Sequence, residues 1–213
     1  MKIKLTNAGK RFNREWIFRY ANLELVAPHA YAITGPNGSG KSTFLQTIGG
    51  MLQVSEGGIE YAIGNKPLAS EEVYNFISFC APYLDVIEEM TLIEFLYFHF
   101  SFKAYLPGMN AQKVTELIGL KHAAHKQIRF YSSGMKQRVK LAQAIFCNTP
   151  LVLLDEPCSN LDQQGIELYH FLIRDYCRDR LVMVSSNDEV EYRFCDEVIP
   201  ITTFKSKSVS ASE

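Results

Sequence analysis

The chain has 213 residues, 47% of them hydrophobic and 21% charged, with 22 basic side chains against 23 acidic ones for a net charge of −1. That is enough apolar material for a sizeable core, which excludes a disordered chain or a disulfide miniprotein. The near-neutral charge gives no electrostatic pull toward nucleic acid or anionic lipid, and no nucleic-acid partner is expected. No unbroken apolar run exceeds four residues, as at 95–98 and 151–154, against the roughly 20 needed to span a bilayer. The opening MKIKLTNAGKRF lacks the apolar centre of a secretory signal, and the five cysteines form no CxxC pair, so the expected address is the reducing cytosol.

In chain order, residues 2–8 and 17–26 alternate as half-buried strands around a turn near Asn13 and Arg14, an antiparallel β patch. A short apolar run at 31–34 then leads into a glycine-rich turn, and Lys41–Ile48 reads as a helix stopped by Gly49 and Gly50. Further strands are expected at 58–63, 76–80, Leu151–Asp155, Leu181–Ser185 and 197–201, with helices between the later ones. Short apolar strands alternating with helices predict an α/β fold built on a mostly parallel sheet covered on both faces. The stretch from about 85 to 147 differs, with helices expected at 91–105, 110–118 and 134–147, and reads as a helical subdomain inserted into the connectivity of one domain over 1–204. The serine-rich end, 205–213, is expected to fray.

The sharpest signal is Gly35-Pro36-Asn37-Gly38-Ser39-Gly40-Lys41-Ser42, a GxxxxGK[ST] phosphate loop between a strand and a helix. Its glycines let the backbone turn successive N–H groups, including those of Asn37 and Ser39, toward phosphate oxygens. The positive end of the following helix favours an anion at the same spot. Lys41 would neutralise β and γ oxygens of ATP, Ser42 would ligate Mg²⁺, and Thr43 adds a hydroxyl near the α-phosphate. A second motif, four apolar residues and then Asp155-Glu156, places two carboxylates at the carboxyl edge of a buried parallel strand, where open α/β sheets bind ligands. Asp155 would hold Mg²⁺ through water, and Glu156 would polarise the water that attacks the γ-phosphate.

Between these motifs, at 131–139, stands YSSGMKQRV, and here the chain resembles the ATP-binding subunits of ABC transporters, whose signature reads LSGGQxQRV. Ser132, Gly134, Gln137, Arg138 and Val139 match, Ser133 stands for the first glycine and Met135 for the first glutamine. The likeness runs from about 2 to 201 and includes Pro157-Cys158-Ser159-Asn160-Leu161-Asp162, similar to the family's D-loop. The resemblance implies a P-loop ABC-type ATPase fold and a head-to-tail dimer, either a homodimer or paired with another nucleotide-binding subunit. In such a dimer Ser132 and Gly134 of one chain would face the phosphate loop of the other across ATP. It also implies a separate membrane permease, docked on a groove lined by Tyr83, Leu84 and the helix near 91–102, and a cytoplasmic site at the inner face of the membrane. Phe12, with Trp16 in reserve, would stack on adenine.

Two positions depart from the family pattern. The glutamine that usually follows the strand near 79 is absent, its place falling at Pro82, and the usual histidine after the last core strand is replaced by Asn187. Asparagine can donate to a γ-phosphate oxygen but carries no charge. The alternatives to a transport ATPase are a nucleotide switch with little hydrolysis, and an ABC-type ATPase acting on nucleic acid or ribosomes. The neutral charge and the lack of a tandem nucleotide domain or long coiled-coil insertion weigh against the last.

Overall fold

The first two strands pair antiparallel, β1 (Lys2–Phe12) with β2 (Glu15–Val26), across the turn at Asn13 and Arg14. The structure, a computed structural model, describes residues 1–204; the expected fraying end, 205–213, lies outside the described residues. β1 runs past residue 8, where the alternation stops, because its register with β2 shifts between Leu5 and Ala8 and again before Lys10, around Asn7 at φ 47°. Such a bulge breaks the two-residue period while the strand continues.

After β3 (Ala30–Thr34) and α1 (Lys41–Ile48), the chain returns to the first sheet with β4 (Glu56–Ile63) and β5 (Lys66–Leu68), giving the order β2-β1-β4-β5. Then come β6 (Ile77–Cys80), α2 (Leu92–Phe102), α3 (Ala111–Leu117), α4 (Ser133–Ile145), β7 (Leu151–Asp155), α5 (Gln163–Tyr176), β8 (Leu181–Ser185), α6 (Glu189–Tyr192) and β9 (Glu197–Pro200). A second, five-stranded sheet has the order β6-β7-β8-β3-β9 and is parallel throughout.

Helix starts follow capping chemistry. Thr91, Asn110 and Ser132, which the apolar pattern leaves at or near helix edges, are the N-caps of α2, α3 and α4. At α2 the cap is reciprocal: Thr91 Oγ1 accepts from Glu94 N and the Glu94 carboxylate accepts from Thr91 N, satisfying two orphan donors. α2 stops at Phe102, short of the expected 105. Lys103 turns extended and donates to the carbonyls of Tyr74 and Ile77, and Tyr105 bridges to Cys147.

The parallel sheet is covered on both faces, and its strands show it residue by residue. Leu151 and Leu153 of β7 pack with α1 and the antiparallel sheet, whereas Val152 and Leu154 face the cluster made by α2, α3, α4 and α5. The helices of 92–145 therefore share one apolar cluster with the sheet. A strand buried on both faces must be apolar at every position, which β7 and β8 are up to their last residue.

Candidate functional site

The site is assembled by strand register. Ser185 at the end of β8 pairs with Ile33 of β3 on one side and with Asp155 of β7 on the other. The loops from Gly35, Glu156 and Ser186 therefore leave the sheet at one level, at its carboxyl edge, where doubly covered α/β sheets open a crevice. Cross-links fix that level: Glu156 N donates to Ser185 O at 2.9 Å, and Ser186 N donates to Ile33 O at 3.1 Å.

Within the phosphate loop, Lys41 is only 5% exposed and donates Nζ to the carbonyls of Gly35 and Pro36, at 2.9 and 3.3 Å. A buried ammonium needs such acceptors, so the loop wraps its own cation. Gly40, at φ 102°, caps α1 without a side-chain bond, and no acidic residue occupies the helix's first turn. The first N–H groups are thus left for an anion. Gly40 is also a packing requirement, because a Cβ there would lie 2.2 Å from Cγ2 of Ile17 on β2. That contact brings the end of the β1–β2 hairpin beside the loop, with Phe12 46% exposed there. Lys10 Nζ sits 5.2 Å from the Phe12 ring centroid, whereas Trp16 lies under Arg11 and Arg19. Phe12 is the freer of the two rings.

Asp155 is 1% exposed, and its Oδ1 has no hydrogen-bond partner; the same holds for the buried hydroxyls of Ser39 and Ser185. Orphaned buried oxygens are costly. A carboxylate oxygen of this kind, at the edge that also carries the half-buried Ser42 and Thr43, fits an oxygen-liganded Mg²⁺ or its water shell. Glu156 follows at φ 44°, a left-handed conformation uncommon for a side chain of its size. Asn187 is exposed, and its Nδ2 donates to Asn37 Oδ1 at 3.3 Å, which sets it against the mouth of the phosphate loop.

Pro82 offers only a carbonyl, which accepts from Lys140 Nζ of α4 at 2.8 Å. Its neighbour contacts α1: the Tyr83 hydroxyl accepts from Gln46 Nε2 at 2.6 Å. No local pattern in the sequence marks Gln46. Glu191 of α6 was likewise missed. It is 5% exposed, its Oε1 accepts from Cys158 N at 2.7 Å, its Oε2 has no partner, and burial pushes its carboxyl above the ordinary range. It ties the segment after Asn187 to the one after Glu156.

Ser132 and Gly134 lie elsewhere. Ser132 Oγ accepts from Met135 N at 3.3 Å, and a Cβ on Gly134 would stand 3.0 Å from Asn160 O. Both line an open depression of about 350 Å³ at the N-terminus of α4, together with His122, Arg138 and Asn160. Among the described residues, these contacts join the signature turn to the segment after Glu156 and not to the chain's own phosphate loop.

The family model described as ABC transporter matches residues 18–159. The chain belongs to the ABC transporter family. It is 35% identical over 177 residues to YxlF of Bacillus subtilis (strain 168), an uncharacterized ABC transporter ATP-binding protein, covering 79% of this chain and 57% of that one. It is 32% identical over 144 residues to the cytochrome c biogenesis ATP-binding export protein CcmA of Xylella fastidiosa (strain 9a5c), covering 68% and 64%. The chain thus spans less than two thirds of the length of these relatives. Among solved structures, the dimeric MJ0796, a bacterial ABC transporter cassette, superposes with a TM-score of 0.77 at 27% identity over 93% of each chain. Its dimeric post-hydrolysis state bound to ADP and Pi gives 0.79 at 26% over the same shares. No described helix is long and apolar enough to cross a membrane.

Proposed function

We propose that this ABC-family chain binds Mg²⁺-ATP at the phosphate loop, hydrolyses it, and uses a head-to-tail dimer to drive a separate membrane permease from the cytoplasmic side. The observation that carries this reading is the shared level of three loops at one sheet edge, which has an orphaned buried Asp155 oxygen on one of them and a lysine held inside a glycine loop on another. The relatives are described as transporter ATP-binding proteins, and MJ0796 is described as a dimer and as holding ADP and Pi; both support the same reading.

In this mechanism Lys41 releases the Gly35 and Pro36 carbonyls to take β- and γ-phosphate oxygens, and the free N–H groups after Gly40 take the rest. Ser42 and Asp155 would hold the metal, which when bound neutralises charge on the phosphate oxygens. Glu156 accepts the proton of the attacking water. Asn187 shifts its amide from Asn37 to the γ-phosphate. Ser132 and Gly134 of a second chain close the site from the far side with the N-terminal dipole of α4. Phe12 stacks on adenine.

Steady-state phosphate release with titrated labelled ATP tests the reading. Wild type should bind and turn over ATP in Mg²⁺, and Lys41→Ala should lose affinity while keeping its melting temperature; an unchanged dissociation constant would remove the loop from the site. A switch with slow turnover is the second reading, favoured by Asn187 standing at the loop mouth as a neutral amide.

A further inference from the structure

A larger cleft opens at the opposite, amino edge of the parallel sheet. Ala30 and Val182, paired at the starts of β3 and β8, form its floor. They stand three residues, about 10 Å, below the level of Ile33 and Ser185. Phe171 and Ile173 of α5, with Phe194 just after α6, supply apolar walls around an open volume of about 520 Å³, a size usual for small-molecule sites. No residue placed at the nucleotide site lines it.

Its polar groups are unevenly partnered. Four arginines, Arg174, Arg178, Arg180 and Arg193, line the cleft against two acids, Glu167 and Asp196. Both acids are engaged: Asp196 Oδ2 accepts from Ala30 N at 2.8 Å, and Glu167 Oε1 accepts from Gln163 Nε2 at 3.1 Å. Arg174 pairs with its sequence neighbour Asp175 at 2.7 Å and lies over the Phe171 ring. Arg178 and Arg193 are exposed and make no ion pair among the described residues. Arg180 is 8% exposed; its Nη atoms donate to the carbonyls of Ile145, Cys147 and Tyr176, while its Nε has no partner among the described residues. The same is true of the buried Nε2 of His170, whose ring stands edge-on to Phe194 with centroids 6.2 Å apart. Orphaned buried polar atoms are costly unless an outside group meets them.

Unpaired guanidinium groups around a concavity favour a carboxylate, which they can bind through two parallel hydrogen bonds. Aromatic walls over an apolar floor favour a flat ring. We propose that this cleft binds a small aromatic acid, its ring against Phe171 and Phe194 over Ala30 and Val182, and its carboxylate on Arg178 and Arg193 at the rim. The buried nitrogens of His170 and Arg180 offer it further hydrogen bonds. The site is separate from the nucleotide loops and stands whether or not those bind ATP.

The test is a titration of the isotope-labelled full chain with 2-naphthoate, read from the backbone amide signals of Ala30, Val182 and Phe194. These should shift saturably in the millimolar range or below. The neutral isostere 2-naphthamide should bind about tenfold more weakly, the scale of losing one hydrogen bond to a charged group. The double variant Arg178→Gln/Arg193→Gln should weaken naphthoate by a similar factor at an unchanged melting temperature, because both side chains are exposed and unpaired. Equal affinity for the amide, or an unaffected double variant, overturns recognition of the anion. Decanoate binding as tightly as naphthoate at the same amides overturns the aromatic occupant. Shifts that do not saturate, or that leave these three amides unmoved, overturn the site.

Discussion

Gly38 and Gly40 both have positive φ, 74° and 102°, yet the structure gives them opposite surroundings. Alanine at either pays the left-handed backbone penalty of about 1–2 kcal/mol. At Gly38 nothing lies within 4 Å of an added Cβ, whereas at Gly40 the methyl would stand 2.2 Å from Ile17 Cγ2. Ile17 is β-branched and fixed in β2, so its Cγ2 moves only with a rotamer change or a strand shift, an overpacking cost of about 1–3 kcal/mol. Gly40→Ala should then lose about 2–5 kcal/mol and Gly38→Ala about 1–2. At about 2–4 °C per kcal/mol for a chain of this size, Gly40→Ala should melt about 2–12 °C below Gly38→Ala. Gly38→Ala should instead weaken ATP binding by about tenfold or more, since its open side is where phosphate would approach the backbone. Thermal melts of both variants, with Ile17→Ala added to the Gly40→Ala background, provide the assay. The clash predicts a non-additive pair, with Ile17→Ala costing less in that background than alone. Equal melting temperatures for the two glycine variants would refute the role given to Ile17.

Two further outcomes follow from the site. Asn187→His should raise basal phosphate release by roughly 5–30-fold, equivalent to about 1–2 kcal/mol of barrier, if a neutral amide there limits charge stabilisation; unchanged turnover would show that position 187 is not limiting. Glu191 carries the opposite kind of cost. Its carboxyl titrates above the ordinary glutamate value in the fold, chiefly through burial, so the native state holds the proton more tightly than the unfolded one. The carboxylate's cost is absent below that value and is complete once the pH passes the raised one. Glu191→Gln should therefore melt above wild type at pH 8, with the gap closing toward pH 4; a pH-independent difference would contradict a buried ionised carboxylate.

What could be read from the sequence follows from how local each feature is. β7 and β8 end where the sequence places them because strands buried on both faces are apolar throughout and stop at the first polar residue. α1 likewise follows from a phosphate loop before it and two glycines after it. β5 escapes, being three residues long with Pro67 inside it, and β1 is cut short in the sequence reading by the bulge at Asn7. In the site, the motif residues carry their own signals, but partners brought in by the fold do not. Gln46 and Tyr83 are 37 positions apart, and Glu191 reaches Cys158 across 33. Only the parallel register makes those pairs neighbours.

The central claim is a head-to-tail pair closed by ATP, and Glu156→Gln isolates it by stopping hydrolysis while leaving binding intact. Light scattering behind size exclusion, with Mg²⁺-ATP in the running buffer, should give twice the mass of one chain for this variant and a single-chain mass without nucleotide. Adding Ser132→Arg should abolish the larger species. A single-chain mass in saturating Mg²⁺-ATP, with ATP demonstrably bound, would contradict it.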